Sequence, residues 1–101
     1  MVIVRLLLAP WLVAATMATA RAEMQTPPPG ASSCSGCHAV KATVDTPVPR
    51  LTGRSPADIE AAMTAFRGGE RPSLIMQRIA KGFSDDEIKA IAAWYGAQRD
   101  P

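Results

Sequence analysis

Three side chains able to bind a metal or a cofactor lie within five positions of this 101-residue chain. Cys34 and Cys37 are three positions apart and His38 follows directly; they are the chain's only cysteines and its only histidine. On a helix, positions i and i+3 share one face, so both sulfurs can reach the two vinyl groups of a porphyrin while the imidazole meets the iron. Cys-x-x-Cys-His is the pattern of covalent haem attachment. We therefore predict one covalently bound haem c, with thioethers at both cysteines and His38 as an axial iron ligand.

Other uses of these residues need partners that the chain lacks. Structural zinc sites take four cysteine or histidine ligands, and the chain has three such residues. A thioredoxin-type pair belongs in a βαβ unit, but no segment alternates with the period of a strand. A disulfide between Cys34 and Cys37 would close a very short loop and would constrain the unfolded chain little.

A second iron ligand has to be something other than histidine. Methionine is a suitable ligand, and its thioether raises the reduction potential of the iron. Met24 is too close to the attachment motif along the chain. Met63 and Met76 both recur with apolar neighbours at helical spacing, and periodicity does not separate them.

The N-terminal residues have the order of an export signal. Arg5 precedes a mostly apolar run, and small residues follow it, with cleavage expected after Ala20 or Ala22. The run is shorter than the roughly 20 apolar residues of a membrane span, so we predict a cleaved signal peptide over 1–22 and a periplasmic protein without a membrane span. The signal contains two of the 11 basic residues and none of the nine acidic ones. The mature chain is therefore formally neutral, and its charge does not favour nucleic acid as a partner.

The remaining sequence predicts an all-α domain over 31–101, after a proline-rich lead-in over 23–30. Helices are expected from 31 to about 40, with both cysteines inside, and from Ser55-Pro56 to Gly68-Gly69. A shorter helix ends at Gly82, and a capping box at Ser84 opens the last helix, which reaches about 98. The apolar residues of the last helix form one stripe, which consists of Ile88, Ile91, Ala92 and Tyr95.

The order of the attachment motif, a Pro-x-Leu-x-Gly loop at Pro49, a methionine segment and a C-terminal helix resembles class I cytochrome c. Residues 69–88 resemble the cytochrome subunit of flavocytochrome c sulfide dehydrogenase. The resemblance implies a small fold of three to five helices around one haem. It also implies that Met76 is the second axial ligand and that the Pro49 carbonyl accepts the free ring N–H of His38.

A haem iron with two protein ligands has no open site, so we expect an electron carrier and not an enzyme. The resemblance implies that an FAD-containing sulfide dehydrogenase subunit donates the electrons and that other redox proteins accept them. The alternative is a free soluble shuttle of a respiratory or photosynthetic chain. Arg50 and Arg71 lie in segments expected to surround the haem, and we predict that they contact its propionates.

Overall fold

The computed structural model describes residues 26–99, so the predicted signal peptide over 1–22 lies outside the described residues. Four helices occur in this range: α1 (Ala31–Cys34), α2 (Pro56–Gly68), α3 (Leu74–Ala80) and α4 (Asp85–Ala97). The rest of the described chain consists of turns and loops without a strand. The prediction of an all-α fold with three to five short helices is therefore confirmed. Within residues 26–99, no helix is both long enough and apolar enough to span a bilayer.

The first helix is shorter than predicted. It ends at Cys34, and Cys37 lies in the turns that follow. The hydroxyls of Ser33 and Ser35 donate to the carbonyls of Gly30 and Ser32 at 2.7 and 2.8 Å. Serine and glycine both favour turns over helix interiors, and this composition explains why the helix stops. The prediction that one helix contains both cysteines is therefore wrong.

The longer helices begin and end close to the predicted positions. α2 has Pro56 in its first turn and is capped after Gly68 by Gly69, whose φ of 82° suits glycine. The side chain of Ser55 makes no capping bond there. At α4 the capping box is complete, because Glu87 N donates to the Ser84 hydroxyl at 3.2 Å and Ser84 N donates to the Glu87 carboxylate at 3.0 Å.

All four helices contribute to one small core. α2 packs against both α3 and α4. The predicted stripe of α4 is buried, which confirms its orientation. The phenol of Tyr95 donates to the Ala31 carbonyl at 2.5 Å and so joins α4 to α1. The buried residues are Ala31, Ile59, Met63, Ala80, Ile88, Ile91, Ala92 and Tyr95.

Candidate haem-binding site

The two cysteines of the motif differ in their surroundings. Cys34 is half-buried at the end of α1 and packs against the core, whereas Cys37 is exposed. Both are free thiols, since no disulfide joins them. Burial raises the pKa of the Cys34 thiol, although hydrogen bonding partly opposes this effect. The two sulfurs therefore remain available for attachment, one at the edge of the core and one on the surface.

The loop that contains Pro49 orients the histidine. The Nδ1 atom of His38 lies 2.5 Å from the Pro49 carbonyl oxygen, the contact that the resemblance implies. A carbonyl can only accept, so the proton sits on Nδ1 and Nε2 keeps its lone pair for a metal. The loop is anchored to α4, because Gly53 N donates to the Tyr95 carbonyl at 3.0 Å. The contact with the Pro49 carbonyl therefore favours the tautomer in which Nδ1 carries the proton and Nε2 can bind a metal.

Met63 and Met76 differ in how far their side chains are buried. Met63 is 9% exposed and belongs to the core of α2 and α4. Met76 is half-buried on α3 and packs against the outside of that core, as Cys34 does. The Ser73 hydroxyl accepts from Met76 N at 3.2 Å and so begins the helix just before it. Met76, unlike Met63, thus lies at the boundary of the protein interior, and its role as an iron ligand stays a prediction.

Several features of the described residues fit a large apolar group beside the motif. Five large apolar side chains are 40–70% exposed, which is costly for residues of this kind. Two of them line an open depression of about 420 Å³ that also includes Cys37. The indole Nε1 of Trp94 is buried without a hydrogen-bond partner, although buried donors normally have one. A haem supplies both an apolar face and polar propionates, so the residues present fit it. The five exposed apolar residues are Val40, Val44, Leu74, Ile75 and Ile79.

The predicted propionate contacts involve arginines that already bind protein groups. The guanidinium of Arg50 donates to the Val40 carbonyl at 2.8 Å. The guanidinium of Arg71 lies 4.8 Å from the centre of the Phe66 ring, a cation–π contact. Arg50 therefore contacts a residue two positions after His38, and Arg71 contacts α2. Their contacts with propionates stay predictions.

From the sequence, Trp94 and Tyr95 are candidates either for covering the haem edge or for ordinary helix packing. Their rings meet edge to face, with centroids 4.9 Å apart. Burial raises the pKa of the Tyr95 phenol, and nearby Cys34 adds to the effect. The sequence signals for both are their aromatic type and their adjacency, which do not indicate which neighbours they contact.

Comparison with known proteins gives the family. No family model matches the chain. Cytochrome c-554(548) of Halomonas halodenitrificans is 36% identical over 70 residues, which are 65% of this chain and 84% of that protein. The chain belongs to the class I cytochrome c family. The prediction of an electron-carrying cytochrome is thereby confirmed, and the family implies a haem cofactor.

Two further relatives are longer than this chain. The cytochrome subunit of sulfide dehydrogenase from Chlorobaculum tepidum is 41% identical over 64 residues, which are 63% of this chain and 58% of that subunit. The thiosulfate dehydrogenase electron acceptor of Stutzerimonas stutzeri is 36% identical over 75 residues, which are 72% of this chain and 35% of that protein. Since the chain spans 58% of the first and about a third of the second, the activities of those whole proteins are not transferred with the family.

Proposed function

We propose that this cytochrome is an exported, periplasmic electron carrier with one haem bound covalently at Cys34 and Cys37. His38 and Met76 are its axial iron ligands. The observation that carries the proposal is the 2.5 Å contact between His38 Nδ1 and the Pro49 carbonyl, because it leaves Nε2 of the residue next to Cys37 free to bind iron. When bound, haem supplies an iron that exchanges one electron with a partner.

Each protein group has a defined task in this carrier. The thioethers keep the cofactor attached, and the Pro49 carbonyl orients the His38 ring. Met76 would hold the iron as its second protein ligand, which would keep external ligands away from it. The exposed apolar side chains of α3 and of the segment after His38 exclude water from the cofactor, so that little solvent has to reorganise when its charge changes.

Covalent attachment is tested in the protein made together with haem. We expect haem to remain bound through acidic organic extraction, with a pyridine haemochrome spectrum of two thioethers. Cys37→Ser should give the spectrum of one thioether, whereas the matched control Ser35→Ala should leave the spectrum unchanged. Release of free haem from the unmodified protein by the extraction would rule out the attachment.

The donor that we propose is an FAD-containing sulfide dehydrogenase subunit. The 41% identity to the Chlorobaculum tepidum subunit supports this donor. We expect the cytochrome to co-purify with an FAD-containing chain and to become reduced when sulfide is added to the pair. A monodisperse cytochrome that stays oxidised with sulfide and the flavoprotein present would contradict the proposal.

A free soluble shuttle is the second candidate. It is favoured by the comparison with cytochrome c-554(548), 84% of whose length is matched by this chain. Size-exclusion chromatography of the native periplasmic fraction separates the two: a shuttle elutes as a small monomer, and a subunit elutes with its flavoprotein. The mass of the recovered cytochrome also tests the signal peptide, since cleavage after Ala20 or Ala22 removes a defined number of residues.

A further inference from the structure

Two adjacent residues at the end of α2 contact the segments on either side of α3, the helix that bears Met76. The first is Phe66, whose ring lies under the Arg71 guanidinium just before α3. The backbone supports the same connection, because Arg71 N donates to the Ala65 carbonyl at 3.2 Å. The residues that lead into α3, and so towards Met76, are therefore attached to α2 by a ring contact and a backbone hydrogen bond.

The second residue is Arg67, which binds the segment just after α3. One guanidinium nitrogen donates to the Phe83 carbonyl at 3.3 Å, and the other forms an ion pair with Asp85 at the start of α4. The Arg67 side chain is 29% exposed and that of Asp85 is 85% exposed. An ion pair with so exposed a carboxylate is weak, so the bond to the Phe83 carbonyl is the firmer part of this connection.

Phe83 in turn packs against the segment that leads into the attachment motif. A Cβ atom placed on Gly30 would lie 2.5 Å from the Phe83 ring, so the ring and this glycine are in close contact. Gly30 precedes α1, and its carbonyl accepts from the Cys34 thiol at 3.8 Å. Arg67 thus binds Phe83, which follows α3 and also contacts Gly30 just before the helix that contains Cys34.

We propose that Arg67 is a positioning residue that keeps Met76 on the iron. The inference rests on the proposed role of Met76 as a ligand. Local opening of a segment costs less free energy when its ends are less firmly held. Loss of the Arg67 contacts would free the segment that follows α3. Met76 would then leave the iron more easily, and an external ligand could take its place.

Imidazole binding to the oxidised haem protein measures this opening directly. Imidazole displaces methionine from the iron, and the loss of the methionine–iron charge-transfer band reports its binding. In Arg67→Gln we expect imidazole to bind about tenfold more tightly, the amount that corresponds to losing a hydrogen bond from a charged group. The thermal midpoint followed by helical circular dichroism separates this effect from a general loss of stability.

Arg78→Gln is the matched control. Arg78 is an exposed residue of α3 itself, two positions after Met76, and the same amount of charge is removed. Its imidazole affinity should stay within twofold of the unmodified protein. Equal affinities in the two variants, or a lower thermal midpoint in Arg67→Gln without tighter imidazole binding, would overturn the role of Arg67.

Two further variants keep the test informative. Arg67→Lys retains the charge but not the planar fork, so its imidazole affinity should lie between those of the unmodified protein and Arg67→Gln; it replaces Arg67→Gln if that variant does not take up haem. Asp85→Asn leaves the Phe83 carbonyl bond in place and should change the affinity by less than threefold. Absence of the charge-transfer band from the unmodified protein would overturn the Met76 assignment itself, whereas a normal band with no effect of Arg67 would overturn only the positioning role.

Discussion

At the scale of single residues, burial separates the two methionines that periodicity leaves equivalent. Met63 is enclosed among core side chains, and Met76 sits where the core meets exposed Ile75 and Ile79. An iron ligand has to reach out of the protein interior towards the cofactor. The position of Met76 therefore supports it as the ligand, and that of Met63 matches a residue that fills space in the core.

We expect Met76→Ala to abolish the methionine–iron charge-transfer band and to lower the reduction potential, since a thioether ligand raises that potential. Met63→Leu conserves volume, so it should keep both properties and cost less than about 1.5 kcal/mol of stability. Absorption spectroscopy and potentiometric titration measure the two effects. A lost band in Met63→Leu together with an intact one in Met76→Ala would move the ligand to Met63.

Local sequence identifies only part of this site. Cys34, Cys37 and His38 are adjacent enough for their spacing to predict their chemistry, and the resemblance supplies Pro49 and Met76. The partners of Arg67 and the unpaired indole of Trp94 depend on which helices meet. Such contacts arise from packing between distant segments, which periodicity does not specify.

At the scale of elements, the last helix is the one that the sequence predicts most completely. Ser84 and Glu87 form a capping box through backbone and side-chain groups three residues apart, so the motif is readable without tertiary information. The first helix is predicted poorly for the opposite reason. Its serines bond to nearby carbonyls, and this competition with the helix decides where α1 stops.

The capping box of α4 gives a pH-dependent prediction. Ser84→Ala should lower the free energy of unfolding by about 1 kcal/mol at neutral pH. The bond from Ser84 N lowers the pKa of the Glu87 carboxyl from its ordinary 4.5. The contribution of Glu87 is therefore present above that value and is lost as the pH falls through the lower pKa of the folded state.

Urea unfolding at several pH values measures this contribution in Glu87→Gln. This variant should be less stable than the unmodified protein at pH 7, and the difference should shrink as the pH falls below the ordinary glutamate value. Lys89→Gln, an exposed change on the same helix, is the control. A difference that is independent of pH would show that the Glu87 charge does not contribute to capping.

At the scale of the whole molecule, the core is small for the chain it has to order. Three of its eight buried residues are alanines, and Ile88 is the one large side chain in the described range with less than 2% exposure. Domains of this length bury only about 60% of their chain surface and often need a cofactor or a covalent link. A haem placed against the exposed apolar side chains of α3 would enlarge the core.

We therefore expect the chain made without haem to lack a cooperative thermal transition and most of its helical signal. Circular dichroism and scanning calorimetry of the haem-free and haem-bound chains measure the difference. The haem-bound Arg78→Gln variant should behave like the unmodified holoprotein. Native helicity with a cooperative transition in the haem-free chain would mean that the core of eight residues is sufficient.

The hydrogen bond between Tyr95 and Ala31 has a consequence for the timing of assembly. It joins residues 64 positions apart, so the surroundings of Cys34 are complete only after the chain has been synthesised as far as Tyr95. Before that moment the thiol is uncovered; afterwards it is half-buried and its pKa is raised. For a haem attached at Cys34, the interval before the last helix docks is when the thiolate is most reactive. The rate at which α4 packs against α1 would then set the time available for haem attachment at Cys34.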